Sequence, residues 1–96
     1  MLIRIVKMIF IPEKVNDFSN IFTASKDQIR AFDGCTHLEL LNDVQDKNVF
    51  FTYSHWVSAQ HLNHYRNSEL FKTVWGKTKV LFADQPQAWS VKKLGD

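Results

Sequence analysis

The first dozen residues, MLIRIVKMIFIP, are apolar in both registers of a period-two pattern. Ile3, Ile5, Ile9 and Ile11 fall on one side, and Leu2, Val6, Met8 and Phe10 on the other. That predicts a strand over residues 2–11, covered on both faces and ended by Pro12, whose fixed φ and missing amide hydrogen suit the first turn of a helix. The period then lengthens. Val15, Phe18, Phe22 and Ile29, widened by Ile21, give a helical stripe, with Lys14, Asn20, Lys26, Asp27 and Arg30 on the solvated side. Gly34 is placed to take the left-handed conformation that closes the helix. Thr36–Asn42 form a second strand. The polar run Asp43–Asn48 connects it as a hairpin to a third, VFFTYSHW, at Val49–Trp56.

The stretch from Val49 to Lys77 organises the rest of the chain, because it joins this aromatic strand to a two-part helix. Ser58 stands where the period changes from two to about 3.6, and its side-chain oxygen can accept from a free first-turn amide. Ala59, Leu62 and Tyr65 or Arg66 follow at helical spacing. A second cap at Asn67 or Ser68 precedes Leu70, Phe71, Val74 and Trp75. Lys79–Phe82 and Ala88–Val91 both have strand character, and Pro86 requires the final strand to bend or to begin near Gln87. The resulting order, β-α-β-β-α-β, predicts an α+β fold of the ferredoxin-like type, with a four-stranded antiparallel sheet and helices on one face. Apolar residues in both registers, among them Leu38, Leu40, Leu41, Phe50 and Phe51, leave the other face too greasy for a monomer. Face-to-face dimerisation is therefore expected.

Ninety-six residues suffice for one domain, 1–96, with a two-layer core. A hydrophobic share of 45% and 23% charged residues are ordinary for a globular chain, and three Gly with two Pro leave no room for a disordered linker. The net charge of +2 is spread along the chain, which argues against a nucleic-acid partner. The single cysteine, Cys35, precludes an internal disulfide and agrees with a reducing compartment. Arg4 and Lys7 interrupt the apolar N-terminal run, which is too short to span a bilayer and lacks a cleavage motif. The expectation is a cytoplasmic protein with no membrane partner.

Trp56, Ser58, Leu62, Tyr65, Ser68 and Phe71 stand at the spacing W-x-S-x-x-x-L-x-x-Y-x-x-S-x-x-F, preceded by Gly34 at the entry to the second strand. Tyr65–Phe71 reads Tyr-Arg-x-Ser-Glu-Leu-Phe, Trp75–Lys79 reads Trp-x-x-Thr-Lys, and Ala88–Ser90 reads Ala-Trp-Ser. In these motifs the chain, over roughly residues 1–92, resembles the antibiotic biosynthesis monooxygenase (ABM) domain family of dimeric α+β barrels, in particular a small quinol-monooxygenase-like branch. The resemblance implies a homodimer with a cavity between the sheet and helices of each subunit. It also implies relatives that oxygenate quinol-type aromatics without a cofactor or degrade haem. The Asn, Trp and iron-ligating His of the haem-degrading relatives match Lys7, Tyr65 and Trp75 here, so that chemistry does not carry over. Many quinol-type relatives have His at the positions of Tyr65 and Leu70. Tyr65 can donate and accept a hydrogen bond, but with a pKa of ~10 it is no base near neutral pH unless strongly shifted.

His61 and His64 are neighbours on a helix with only Glu69 nearby, too few donors for zinc, so no metal site and no cofactor are expected. Cys35 is read as a small buried thiol, although His37 two residues on would share its strand face. Trp56, Trp75 and Trp89 suit a core. An indole or phenol also brings a polar tip into an apolar wall, as the site of a flat ligand requires. His37, Tyr53, Trp56, Tyr65, Arg66, Phe71 and Trp75 are the residues expected to line such a cavity, with Arg66, Lys79 or His37 stabilising a substrate anion. No catalytic residue is identified. The expected function is a cofactor-independent monooxygenase of a small aromatic or quinol-like substrate; the alternative is a non-catalytic dimeric module for ligand binding or stress.

Overall fold

Residues 1–95 are described by the computed structural model, and they follow the expected order. Strands β1 (Leu2–Ile9), β2 (Cys35–Asn42), β3 (Val49–Trp56) and β4 (Gln87–Val91) form one antiparallel sheet in the order β2-β3-β1-β4. Helices α1 (Val15–Arg30), α2 (Ala59–Arg66) and α3 (Glu69–Lys79) supply the second layer. This is the α+β ferredoxin-like fold.

Register divides the sheet into two unlike faces. Arg4 pairs with Ser54 and Ser90, Val6 with Thr52 and Ala88, and Met8 with Phe50; Leu38 and Leu40 continue the same row across Ser54 and Thr52. Side chains alternate along a strand, so all of these share one face, and the helices cover it. The opposite face carries Ile3, Ile5, Lys7 and Ile9 beside Phe51, Tyr53 and His55, with His37, Glu39 and Leu41 at one edge and Trp89 and Val91 at the other. No described residue covers it. Two-sided cover of β1 is therefore not met among the described residues, and Trp89, expected in a core, is 44% exposed.

The core is concentrated at one end. Phe10, 0% exposed, stacks on Phe18 at 4.2 Å and meets Phe50 edge-on at 5.8 Å; Met8 and Leu81 complete the buried cluster. Phe10 lies beyond the last residue of β1, where the amide of Ile11 donates to the carbonyl of Leu81. Pro12 opens a short 3-10 turn, Pro12–Lys14, that leads into α1.

Two local expectations change. Lys79–Phe82 is not a strand, since α3 runs on to Lys79 and only Phe82 bridges, singly, to Phe10. The Thr78 hydroxyl donates to the Val74 carbonyl at 2.7 Å and the Leu81 amide to that of Thr78 at 3.0 Å, so helical bonding claims these groups first. Gly34 is left-handed, with φ +90°, yet α1 ends three residues earlier at its Ala31 C-cap. What needs glycine there is also space, because a Cβ at position 34 would overlap the side chain of His61. His61 is fixed in turn by the Ser58 cap: the Ser58 hydroxyl accepts from the His61 amide at 3.2 Å and bonds His61 Nδ1 at 2.7 Å. Gly34→Ala should therefore lower stability by about 1–3 kcal/mol, measured by chemical denaturation, since it combines backbone strain with displacement of the first turn of α2.

Candidate ligand cavity

Between the sheet and the helices lies a cavity of about 280 Å³, near the lower end of the ~300–1,000 Å³ typical of small-molecule sites. Its floor is the even-numbered sheet face: Arg4, Val6 and Met8 of β1, Leu38 of β2, and Thr52, Ser54 and Trp56 of β3. Phe18, Phe22 and Ile29 of α1 form one wall, and Leu62, Tyr65 and Arg66 of α2 with Phe71, Val74, Trp75 and Thr78 of α3 form the roof. Pro86 and Ala88 close the side along β4.

An aromatic chain runs from the floor into the roof. Trp56, only 1% exposed, stacks on Tyr65 at 4.9 Å and 27°; Tyr65 meets Phe71 edge-on at 5.2 Å; Phe71 stacks on Trp75 at 5.7 Å and 11°. The helix caps position it. Ser58 starts α2 after the strand, and the Ser68 hydroxyl, accepting from the Phe71 amide at 3.1 Å, starts α3 two residues after α2 ends. This break allows Tyr65 and Phe71, on different helices, to meet. The polar tip of Trp56 is satisfied within the floor, its Nε1 donating to Ser54 Oγ at 3.0 Å.

Five of the seven residues expected from the sequence therefore line one cavity: Trp56, Tyr65, Arg66, Phe71 and Trp75. His37 and Tyr53 do not. Tyr53 pairs with Ile5 and Glu39 in the odd register and points to the uncovered face. His37 joins it because it alternates in phase with Glu39 and Leu41 and stands opposite His55, whereas the register shift between Cys35 and His37 sets Cys35 opposite Trp56. There His37 Nε2 lies 2.6 Å from Glu39 Oε1, and its ring packs 5.0 Å from that of His55. The same irregularity separates Cys35 from the His37 imidazole; the thiol bonds instead to the His37 carbonyl at 3.6 Å. Lys79 is exposed and does not line the cavity. Arg4, Thr52 and Ser54 were missed by the sequence reading, although Arg4 shares the register of Val6 and Met8, and that parity marks its face.

Burial governs the titratable groups here. Desolvation pushes the Tyr65 phenol well above the ordinary tyrosine range, and the Cys35 side chain adds to the shift. Desolvation likewise raises the Cys35 thiol, against smaller opposing effects of the His37 backbone hydrogen bond and Arg30. Tyr65 is thus a neutral hydrogen-bonding group, and Cys35 lacks the thiolate character of a nucleophile. Arg4 is lowered from its ordinary value by desolvation and then by Arg66.

The family follows from sequence comparison. A model of the family described as antibiotic biosynthesis monooxygenase (ABM) matches residues 1–75, and the chain belongs to it. Solved structures share the fold at low identity. One described as an antibiotic biosynthesis monooxygenase superposes with a TM-score of 0.93 at 16% identity, covering 99% of this chain and 100% of that one. A conserved protein from Methanosarcina mazei Go1 gives 0.91 at 19%, covering 98% and 94%. A Mycobacterium tuberculosis protein gives 0.90 at 16%, covering 99% and 96%. A search of curated proteins finds no match.

The Tyr65 shift has a signed consequence. A phenol whose pKa is raised by folding contributes its full stabilisation below the unfolded value of ~10 and loses it as pH rises through that value towards the folded one. Denaturation midpoints measured from pH 8 to 11 should fall for the parent as pH passes ~10, and Tyr65→Phe should flatten that fall while leaving the midpoint at pH 8 nearly unchanged.

Proposed function

We propose that this chain is a cofactor-independent monooxygenase that binds a small aromatic or quinol-like substrate in the cavity between sheet and helices, with residues 1–96 forming one functional domain. The observation that carries this reading is the aromatic chain Trp56–Tyr65–Phe71–Trp75, which runs from floor to roof of a cavity whose charge comes from Arg4 and Arg66. Membership of the ABM family supports the reaction class. In such chemistry the ionised substrate itself supplies the electron to dioxygen. The protein's part is to hold a flat ring, remove water from it and stabilise the anion. Stacked indoles and phenyls suit the first two tasks, and the Arg66 guanidinium the third.

One observation favours a second reading, a ligand-binding module without turnover. The described lining contains no histidine, lysine or carboxylate, and burial keeps the Tyr65 phenol neutral. A substrate oxygenated here must ionise with the help of the arginines alone. Oxygen-electrode measurements on chelator-treated protein with a panel of naphthoquinols and phenols should show uptake above autoxidation, slowed by Trp75→Ala. Uptake equal to autoxidation across the panel leaves the binding module as the function.

The assembly belongs to the same proposal. The uncovered sheet face presents Leu41, Trp89 and Val91, each more than 40% exposed, beside half-buried Ile3, Ile5, Ile9 and Phe51. A second copy packed on that face would cover it and complete the two-sided burial that the β1 sequence demands. Light scattering at micromolar concentration should give about twice the 11.3 kDa chain mass. A monomer would leave the β1 pattern without a cause.

A further inference from the structure

The cavity is unlike at its two ends, and its charges are gathered at one of them. Arg4 and Arg66 are the only ionised residues among its described lining, which contains no Asp or Glu. Arg4 lies on β1 near Leu2, the residue paired with Trp56, whereas Met8 and Phe18 line the far end against the core. Neither guanidinium forms an ion pair among the described residues, although other basic side chains of the chain do so on the surface. An arginine carries five N–H donors. The Arg4 side chain uses one, from Nη1 to Ser90 Oγ at 3.0 Å, and Arg66 makes no side-chain hydrogen bond among the described residues. Two guanidiniums lining one cavity with no carboxylate between them repel each other, and an anion placed there relieves that repulsion while accepting from both.

We infer that Arg4 and Arg66 form an anion clamp at one end of the cavity, and that the ligand is an aromatic carboxylate whose acid group meets the two guanidiniums while its ring lies towards Phe71, Trp75 and Phe22. This rests on the cavity of the proposed function being a ligand site and deepens its binding-module reading, because a carboxylate that engages both guanidiniums leaves neither to stabilise an ionised quinol. The lowering of the Arg4 pKa by Arg66 agrees with the two groups being close. A carboxylate suits them because its two oxygens accept from the guanidinium fork in one plane. The lining selects the rest of the ligand. Beyond the arginines Met8, Phe18, Phe22 and Val74 are apolar and the Thr78 hydroxyl already donates to the Val74 carbonyl, so a second charge at that end would be buried without a charged partner.

The test compares 2-naphthoate with the equally shaped neutral 2-naphthalenemethanol, at pH 7, by calorimetry and by quenching of Trp56 and Trp75. The parent should bind the acid at least about ten-fold tighter than the alcohol, as hydrogen bonds to a charged group imply. Arg66→Gln should remove most of that preference with little change in affinity for the alcohol, and Arg66→Lys should restore part of it. Arg66 is exposed at the end of α2, so its variants should fold like the parent, as circular dichroism would verify. Equal affinity of the parent for the two compounds, or a preference unchanged in Arg66→Gln, overturns the clamp and leaves the cavity reading standing. Failure of both compounds to bind the folded parent overturns the clamp together with the cavity reading on which it rests.

Discussion

Two aromatic contacts at opposite ends of β1 hold the helical layer off the sheet. At one end Phe10, just past the strand, packs against Phe18, Phe50 and Phe82. At the other, Trp56, opposite Leu2, stacks under Tyr65. Large rings at both ends and smaller side chains between them, Val6, Thr52, Ser54 and Ala88, prevent the layers from closing. The cavity is thus what remains when a sheet is propped at its ends, and its shape follows from residue size along one register. Deep burial of Phe10 and Trp56 maintains the spacing. The smaller residues between them leave the space, and Ser54 also accepts the Trp56 Nε1 hydrogen bond.

The same arrangement sets the chemistry. Dry aromatic walls raise the phenol of Tyr65 and the nearby thiol of Cys35, which keeps both neutral. The charge that remains is positive and permanent. Among the described lining residues there is no carboxylate and no histidine, so the charge offered to anything in the cavity is that of the arginines. The histidines of the chain, which at other positions would supply a base, are committed elsewhere. His61 braces the Gly34 turn and the Ser58 cap, His64 packs edge-on to Phe32, and His37 and His55 belong to the other side of the sheet.

How much of this was legible in the sequence depended on which physical signal each part obeys. Element order, the Ser58 and Ser68 caps and the α1 stripe were readable because they rest on local periodicity and short-range hydrogen bonds. The roof residues Tyr65, Arg66, Phe71 and Trp75 were readable as well, since they fall on two successive motifs, Tyr65–Phe71 and Trp75–Lys79. The floor was not. Whether Tyr53 or Thr52 faces the cavity is a matter of parity, and in β1 and β3 both parities are apolar, so composition does not choose between them. In β2 a register irregularity next to Cys35 reverses the parity again, and no residue type announces it. Arg4 looked like an interruption in a greasy strand, when it is the polar end of an otherwise apolar row.

The fourth strand bears differently on the cavity. All five residues of β4 are exposed, yet Ala88 and the preceding Pro86 form a side of the cavity. Almost nothing in the core rests on them, and they lie beyond residues 1–75 matched by the family model. Of this edge only Pro86 and Ala88 reach the cavity, so its outline there is set by residues outside the buried cluster, while the strands at the centre of the sheet remain answerable to folding.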